Sequence, residues 1–381
     1  MQTRFFKEFF SSERTAGMVL LFITIAALSL ANSSFGPEIE HFLHSKWGDW
    51  PVESWVNDAL MVLFFLMVGL ELKRELFVGE LSSLRNAMLP VVAALGGMLV
   101  PAAIHAGFNW GTPAQRGAGI PMATDIAFSL GVLSLFGARV PYALKVFLTA
   151  LAIADDLGAI VVIAIFYTQH LHLGYLAGSL GVLALLFILN RARVRVLAVY
   201  LIGGLAMWWL LLHSGVHATL SGVMLAFAIP FDPDPDHCIS HRLQHRLHLP
   251  IAFGVLPIFA FVNTCIPIEA GWTSHLTEGN SLGIFLGLVV GKPVGILLFC
   301  FVAVTLKLGS LAEGITWRNL AGAGMLAGIG FTMSIFVSLL AFEDEGLVNM
   351  SQITVLIASL TSAVLGSIWF LFLPSVEASR Q

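Results

Sequence analysis

Four charged side chains stand inside apolar stretches of this 381-residue chain. Asp155 and Asp156 are adjacent in an apolar run at about 143–166, while Asp125 and Lys292 lie in two other runs. An aspartate at the centre of a membrane helix costs roughly 2.5 to 3.5 kcal/mol, whereas each leucine or isoleucine returns only about 0.3 to 0.6 kcal/mol. Charges kept at that cost indicate a functional site within a membrane.

Three acids and one base make a net negative centre, which predicts a cation-binding site. Sodium, lithium and protons suit a few carboxylate oxygens, whereas a divalent ion usually requires more carboxylate and carbonyl ligands. Neighbouring helical positions point about 100° apart, so we expect one of Asp155 and Asp156 to be the main ligand. The other is then its neighbour, partnered with Lys292. Competition of a metal ion and protons for the same oxygens is the simplest chemistry of antiport.

The composition is that of a polytopic membrane protein. Hydrophobic residues make up 57% of the chain and charged residues 11%, against about 25% charged in soluble domains. A net charge of -4 gives no indication of nucleic-acid binding. Cys238, Cys265 and Cys300 lie far apart, so neither a disulfide framework nor a zinc finger is expected.

Apolar runs separated by glycine, proline or charged residues predict about twelve membrane-spanning helices. The runs fall at about 16–31, 55–77, 87–106, 120–137, 141–167, 174–190, 196–212, 216–231, 249–266, 282–304, 320–341 and 352–373. Of the 19 lysines and arginines, 16 lie near the chain ends or in even-numbered loops, which predicts that both termini are cytoplasmic. We expect an all-α polytopic membrane protein with a single integral membrane domain over 1–381, including short cytoplasmic tails at 1–14 and 374–381.

Two of these spans carry polar or glycine clusters near their centres. The fourth contains Thr124 and Asp125, and the eleventh is glycine-rich over 322–330. Such clusters are typical of unwound backbone at membrane depth, although glycines also allow close helix packing. The two spans are seven apart in the count and run in opposite directions, so spans 3–5 and 10–12 are predicted to be inverted repeats. If the broken spans cross, Asp125 faces the positive helix N-termini and Lys292 the negative C-termini.

Motifs along nearly the whole chain, in order, resemble those of NhaA sodium/proton antiporters. They are Asn57-Asp58-Ala-Leu-Met, Val68-Gly-Leu-Glu71-Leu-Lys73-Arg74-Glu75-Leu, Ala123-Thr124-Asp125-Ile-Ala-Phe, Ala152-Ile-Ala-Asp155-Asp156-Leu-Gly158, Ser214-Gly-Val-His217-Ala-Thr219-Leu, Gly291-Lys292-Pro293 and Gly328-Ile-Gly330-Phe331-Thr332-Met-Ser. The resemblance implies a pH-regulated, electrogenic exchange of sodium or lithium for more than one proton, without a cofactor. It also implies a homodimer in the lipid of the bacterial inner membrane.

The same resemblance implies roles for the charged residues. Asp156 is the main carrier of sodium and protons, with Asp155 as its partner. Thr124 and Asp125 support the site at the broken helix, and Lys292 is the compensating base.

Further family positions are implied away from these charges. Glu71, Arg74 and Glu75 are expected at a cytoplasmic funnel where pH is sensed. Asp58 is expected nearer the outer end, with a less defined role. His217 follows a family motif and is equally well explained as a packing histidine.

One position departs from the family pattern. Gln244 stands before the ninth span, where the best-known family pattern has an acid. His237, His241, His245 and His248 surround it at spacings of four, four and three, which form one stripe on a helix. An imidazole has an ordinary pKa of about 6.5. The stripe is therefore a candidate sensor of cytoplasmic pH, with His241 and His245 as its main members. A solvated surface helix and zinc binding through paired histidines are the alternatives.

Two other function classes remain open from the residues alone. Asp125 and Asp156 lie on different spans and resemble the pair of an intramembrane aspartyl protease, but the Gly-x-Gly-Asp context of such enzymes is missing. A sodium-coupled transporter of an organic solute, with a related crossed-helix plan, is the second alternative. The antiporter hypothesis predicts a transporter and not an enzyme, with no nucleic-acid partner.

Overall fold

The computed structural model describes residues 2–168, 171–234, 238–268 and 271–374, and this part of the chain is mainly helical. The sheet found in it is a single antiparallel pair, Lys46–Trp47 and Trp50–Pro51, in which Trp47 lies opposite Trp50. The α-helices are α1 Gln2–Ala31, α2 Gly36–His44, α3 Val52–Ser54, α4 Met61–Phe77, α5 Leu84–Asn109, α6 Ile126–Ser134, α7 Tyr142–Phe166, α8 Leu173–Arg191, α9 Leu197–Leu212, α10 Leu220–Ala228, α11 Ile239–Pro250, α12 Leu256–Thr264, α13 Trp272–His275, α14 Gly279–Leu286, α15 Lys292–Thr305, α16 Trp317–Ala327, α17 Phe331–Ala341 and α18 Glu345–Leu371.

Shorter helical turns connect several of these helices. Within the described residues, π-helical turns at Trp55–Leu60, Ile251–Val255 and Gly287–Gly291 join α3 to α4, α11 to α12 and α14 to α15 into continuous helices. The same part of the chain has 3-10 helices at Glu80–Ser82, Pro113–Met122 and Gly137–Arg139.

Eight helices in the described part of the chain are long and apolar enough to cross a membrane. They are Arg14–Ala31, Val52–Phe77, Asn86–Asn109, Tyr142–Phe166, Leu173–Arg191, Ile239–Thr264, Gly279–Thr305 and Glu345–Leu371. Two bent pairs count as one further span each: Pro113–Met122 with α6, bent by 41°, and α16 with α17, bent by 47°. The predicted all-α membrane fold is therefore confirmed. The seventh and eighth predicted spans correspond to the shorter α9 and α10, so the number twelve stays a prediction.

Two span boundaries differ from the predicted runs because polar residues belong to the helices. The fourth run was expected from about 120, but its first half begins as a 3-10 helix at Pro113. The twelfth was expected from about 352, but α18 begins at Glu345, where the Asp344 side chain accepts the Leu347 N–H at 2.8 Å. A polar first turn escapes a search for apolar residues.

One compact unit comprises Met1–Gly36, Ser83–Ala159 and Asn263–Gln381. Within it α5 packs closely along α15, where Gly96 and Gly295 face each other. A Cβ atom added to Gly96 would lie 2.3 Å from the Gly295 carbonyl oxygen, and one added to Gly295 would lie 2.1 Å from the Gly96 oxygen. Only glycine at both positions allows these backbones to approach so closely.

The second compact unit comprises Pro37–Ser82 and Ile160–Val262. Its apolar core includes the fully buried Tyr200 and Met207. Lys73 is buried and donates hydrogen bonds to the carbonyls of Ala226, at 3.3 Å, of Phe227, at 2.9 Å, and of Ile229. A positive charge at the C-terminal end of α10 satisfies carbonyls that have no partner within the helix.

Candidate functional site

The four charges predicted to form a cation site all lie in the first compact unit, and all are buried. Asp155 and Asp156 lie on α7, Asp125 lies just before α6, and Lys292 is the first residue of α15. Their side chains are exposed by 2% or less. We call Asp125, Asp155, Asp156 and Lys292 the charged centre.

Asp155 is the member of the adjacent pair that contacts Lys292. The Lys292 Nζ lies 2.9 Å from Asp155 Oδ2 and also donates to the Met122 carbonyl. Thr124 Oγ1 lies 2.8 Å from the same Asp155 oxygen and 3.0 Å from the Ala327 carbonyl oxygen. Thr124 has a single hydroxyl proton, so these two acceptors compete for it. Asp155 is therefore held in place by one ammonium and one hydroxyl group.

Asp125 caps two helices at once. Its Oδ1 accepts the Phe128 N–H of α6 at 2.9 Å. Its Oδ2 accepts the Thr332 N–H of α17 at 3.2 Å and the Thr332 hydroxyl at 2.5 Å. A carboxylate at helix N-termini satisfies free N–H groups and offsets their positive partial charge. Lys292 instead contacts a helix C-terminus. Its Nζ donates to the carbonyl of Met122, the last residue of the 3-10 helix Pro113–Met122.

Backbone groups at the two helix breaks bond to each other. The Asp125 N–H donates to the Ile329 carbonyl at 2.7 Å, and the Ser129 hydroxyl donates to the Leu326 carbonyl at 2.9 Å. Ser334 reaches back in the same way to the Ile120 carbonyl, at 2.7 Å. These bonds satisfy backbone groups that a membrane interior leaves without water.

The glycines of the second break are closely packed. A Cβ atom at Gly328 would lie 2.5 Å from the Leu288 carbonyl oxygen and 2.7 Å from Ser362 Oγ. At Gly330 it would lie 2.1 Å from Ser334 Oγ. The break therefore has no room for a side chain at Gly328, where the nearest atom belongs to the backbone.

Because Asp155 already pairs with Lys292, Asp156 is a buried carboxylate beyond the one that the lysine neutralises. It is 1% exposed and interacts electrostatically with Lys292. When all three groups are ionised, Asp155 and Asp156 beside Lys292 carry one net negative charge, and Asp125 adds a further buried carboxylate to the charged centre. Buried charges of that kind require cations or bound protons. Among the described residues, no group of three or more His, Cys, Asp or Glu side chains is placed to hold a metal ion.

The funnel residues implied by the resemblance lie in the second compact unit, at the end of α4. Arg74 Nη2 contacts Glu75 Oε1 at 3.1 Å, and Glu75 Oε2 accepts the Glu80 N–H at 3.0 Å. Glu71 lies one turn before them and is half-buried. The three residues therefore share the last turns of one helix.

Asp58 and His217 are brought together in the same unit. His217 Nε2 lies 3.9 Å from Asp58 Oδ1, although the two come from separate motifs. The sequence interpretation treated these residues separately and did not predict the contact.

The histidine stripe lies on a helix, as its interpretation required. His241, His245 and His248 belong to α11, and the Cys238 sulfur accepts the His241 N–H at 3.4 Å at the start of that helix. His237 lies outside the described residues. Zinc binding through paired histidines stays an alternative.

Sequence reasoning missed the contribution of Thr332 to the charged centre. The residue lies within the Gly328-to-Ser334 motif, but nothing in its spacing relates it to Asp125. Ser129 and the carbonyl groups of Leu326 and Ile329 were missed for the same reason. Contacts across two breaks far apart in sequence leave no local signal.

Comparison with known proteins matches the chain over almost its whole length. A family model described as Na+/H+ antiporter 1 matches residues 7–370. The chain is 54% identical to Na(+)/H(+) antiporter NhaA of Cytophaga hutchinsonii over 367 residues, which are 96% of this chain and 95% of that protein. It is 55% identical to Na(+)/H(+) antiporter NhaA of Dechloromonas aromatica over 371 residues, 96% and 95% of the two chains. It is 46% identical to the protein of the same name from Shigella dysenteriae over 373 residues, 95% and 96% of the two chains.

Proposed function

Because the chain belongs to the Na+/H+ antiporter 1 family, we propose that it exchanges sodium or lithium for protons across the bacterial inner membrane. The protein is a transporter and not an enzyme. Sodium, lithium and protons are its transported substrates, and it uses no cofactor. The observation that carries the proposal is the burial of two adjacent carboxylates, Asp155 and Asp156, beside Lys292.

The charged centre provides the competition that antiport needs. Asp156 is the main carrier of sodium and protons, and Asp155 is the partner that Lys292 and Thr124 hold in place. Buried carboxylates take up either a metal ion or protons, because leaving them charged and unpaired is costly. If sodium displaces two protons, each cycle moves one net charge and the exchange is electrogenic.

The finer architecture is part of the same proposal. The described part of the chain has eight long helices and two bent pairs; if the shorter α9 and α10 also cross the membrane, the number of spans is the proposed twelve. The bonds from Asp125 to Ile329 and from Ser334 to Ile120 support a crossing of the fourth and eleventh spans. Spans 3–5 and 10–12 are then inverted repeats within one integral membrane domain, with cytoplasmic termini and a homodimeric assembly.

Regulation by pH is assigned to the second compact unit. Glu71, Arg74 and Glu75 form the funnel group on α4, and His241 and His245 lie on α11. The last two occupy the region where Gln244 replaces the acid of the family pattern, so a titratable imidazole stripe takes over the response to cytoplasmic pH.

Everted membrane vesicles test the exchange. A pre-formed pH gradient, followed with an acridine dye, should collapse when sodium or lithium is added to wild-type vesicles and persist in the Asp156→Asn variant. Asp232→Asn is the matched control, because this carboxylate lies at the surface and pairs with Arg195 at 3.4 Å. Undiminished exchange by Asp156→Asn would refute the assignment of the carrier.

Radiolabelled sodium separates the remaining alternative. Exchange of sodium in vesicles that hold no organic solute excludes a solute-coupled transporter. Sodium uptake that depends on an added organic solute, without proton movement, would instead contradict the antiporter proposal. The related proteins from Cytophaga hutchinsonii and Dechloromonas aromatica are named as antiporters, so the alternative is not favoured.

A further inference from the structure

An apolar cavity of about 340 Å³ opens beside the two helix breaks. Helix α1 lines it from Arg14 to Leu28, α18 lines it with Leu360, and Phe128 and Phe331 form part of its floor. Of the described residues that line this cavity, Arg14 is the only charged one. We call this cavity the α1 groove.

The α1 groove opens along lipid-facing helix surfaces. On α1, Met18 is 52% exposed and Ile25 is 56% exposed, while Leu360 on α18 is 63% exposed. Both helices are among those long and apolar enough to span a membrane. The material available to fill the groove is therefore lipid hydrocarbon, since an unfilled apolar groove forfeits dispersion contacts.

The length and the charge of the groove match one phospholipid. From Arg14 to Leu28 the helix rises by about 21 Å, close to the roughly 20 to 22 Å of one leaflet with its headgroup region. Arg14 is the first residue of the apolar stretch of α1, so a spanning α1 brings its guanidinium to the lipid headgroups. Its guanidinium suits a phosphate, which it binds through two parallel hydrogen bonds.

We propose that the α1 groove binds one anionic phospholipid, with an acyl chain against Phe128 and Phe331 and the phosphate at Arg14. An anionic lipid is favoured because Arg14 is basic and is the only charged side chain among the described residues that line the groove. Basic groups beside a membrane surface attract anionic lipids.

An acyl chain in the groove contacts the residues that hold the charged centre together. Ile329, within the second break, and Phe331, the first residue of α17, line the groove. The Ile329 carbonyl accepts the Asp125 N–H at 2.7 Å, and the Phe331 N–H donates to Ser359 Oγ at 3.0 Å. A bound lipid therefore stabilises this arrangement of the breaks and changes the exchange rate. This consequence rests on the proposed antiport, whereas lipid binding itself does not.

Binding is tested by native mass spectrometry of the delipidated full-length protein with added phosphatidylglycerol or phosphatidylcholine. Wild type should retain one phosphatidylglycerol in preference to phosphatidylcholine. Arg14→Gln should weaken retention of phosphatidylglycerol about fivefold, the usual contribution of one basic residue. Arg318→Gln, another exposed arginine, is the charge control and should bind as wild type does. Equal retention of both lipids, or unchanged retention by Arg14→Gln, would overturn the proposal.

A second variant fills the groove without disturbing the helices. A Cβ atom at Gly17 meets only the Ala127 carbonyl oxygen, at 3.9 Å, so Gly17→Leu should fold and occupy the space of the acyl chain. Gly181→Leu on α8 is the matched control, because a Cβ atom there has no neighbour within 4 Å. Gly17→Leu should lose the retained lipid and Gly181→Leu should keep it. If Gly17→Leu instead converts a dimer to monomers, a second copy of the chain covers the groove and the lipid proposal fails.

Proteoliposomes connect binding to transport. Added phosphatidylglycerol should change sodium/proton exchange by wild type and Gly181→Leu in otherwise phosphatidylcholine vesicles, but not exchange by Gly17→Leu. A response of Gly17→Leu equal to that of wild type would overturn the coupling. Absence of exchange by wild type in every lipid would refute the proposed antiport alone, because the retention measured by mass spectrometry does not depend on it.

Discussion

Replacing Asp155 with asparagine removes the charge partner of a lysine that solvent does not reach. Lys292 is 0% exposed, and its Nζ lies 2.9 Å from Asp155 Oδ2. At an effective dielectric constant of about 20, charges at this separation attract by roughly 6 kcal/mol before desolvation is counted. Breaking a buried pair from one side costs about 3 to 5 kcal/mol. We expect Asp155→Asn to lower the free energy of unfolding by that amount.

The matched second change is Lys292→Met, which alone should be destabilising by a similar amount. The double variant Asp155→Asn with Lys292→Met should recover most of the loss, because no uncompensated buried charge remains. Equilibrium unfolding of the four proteins in detergent micelles, followed by circular dichroism, gives the coupling free energy of the cycle.

Lys73→Met provides the control for this cycle. Lys73 is also a buried lysine, but its hydrogen bonds go to the carbonyls of Ala226, Phe227 and Ile229, and it shares no partner with Asp155. Its effect should add to that of Asp155→Asn. If Asp155→Asn and Lys292→Met are equally additive, the two side chains do not stabilise each other and the buried ion pair does not have the proposed effect.

Three further changes test other parts of the protein. Thr332→Val removes the hydroxyl that donates a hydrogen bond to Asp125 at 2.5 Å, and it should lower the free energy of unfolding by about 1 to 3 kcal/mol. Thr332→Ser keeps the hydroxyl and should not. Unfolding by denaturant measures both variants, and equal stability of the two would contradict this expectation. Gly328→Ala places a Cβ atom 2.5 Å from a backbone oxygen and should sharply reduce the yield of folded protein in size-exclusion chromatography, so a normal yield would show that the break is not closely packed. Replacing both His241 and His245 with alanine should shift the pH profile of exchange in vesicles, and an unchanged profile would show that these histidines do not sense pH.

Features that depend on local sequence were predictable. Apolar length gave the membrane helices, and both interruptions were recognised because Thr124 and Asp125, or a run of glycines, stand where apolar residues are expected. The 3-10 start at Pro113 was missed because an apolar search excludes polar residues such as Arg116.

Contacts between distant segments were not predictable from pattern. Helical spacing could not decide which of Asp155 and Asp156 contacts Lys292, because that choice depends on how α7 packs against α15. The order taken from the family resemblance agrees with the contact between Asp155 and Lys292. The role of each carboxylate in carrying ions stays a prediction.

Asp125 caps both α6 and α17, and this has a consequence for how the protein folds while it is being synthesised. Asp125 and Thr332 are 207 residues apart, so ribosomes adding about 5 to 20 residues per second take roughly 10 to 40 s to make the second partner after the first. During that interval the carboxylate and the open backbone around it have no α17 to bond with. The insertion machinery or water must therefore satisfy the polar groups of the incomplete site until α16 and α17 have been synthesised. Slow translation of the last third of the chain is consequently expected to expose nascent protein to quality-control proteases before any ion has been carried.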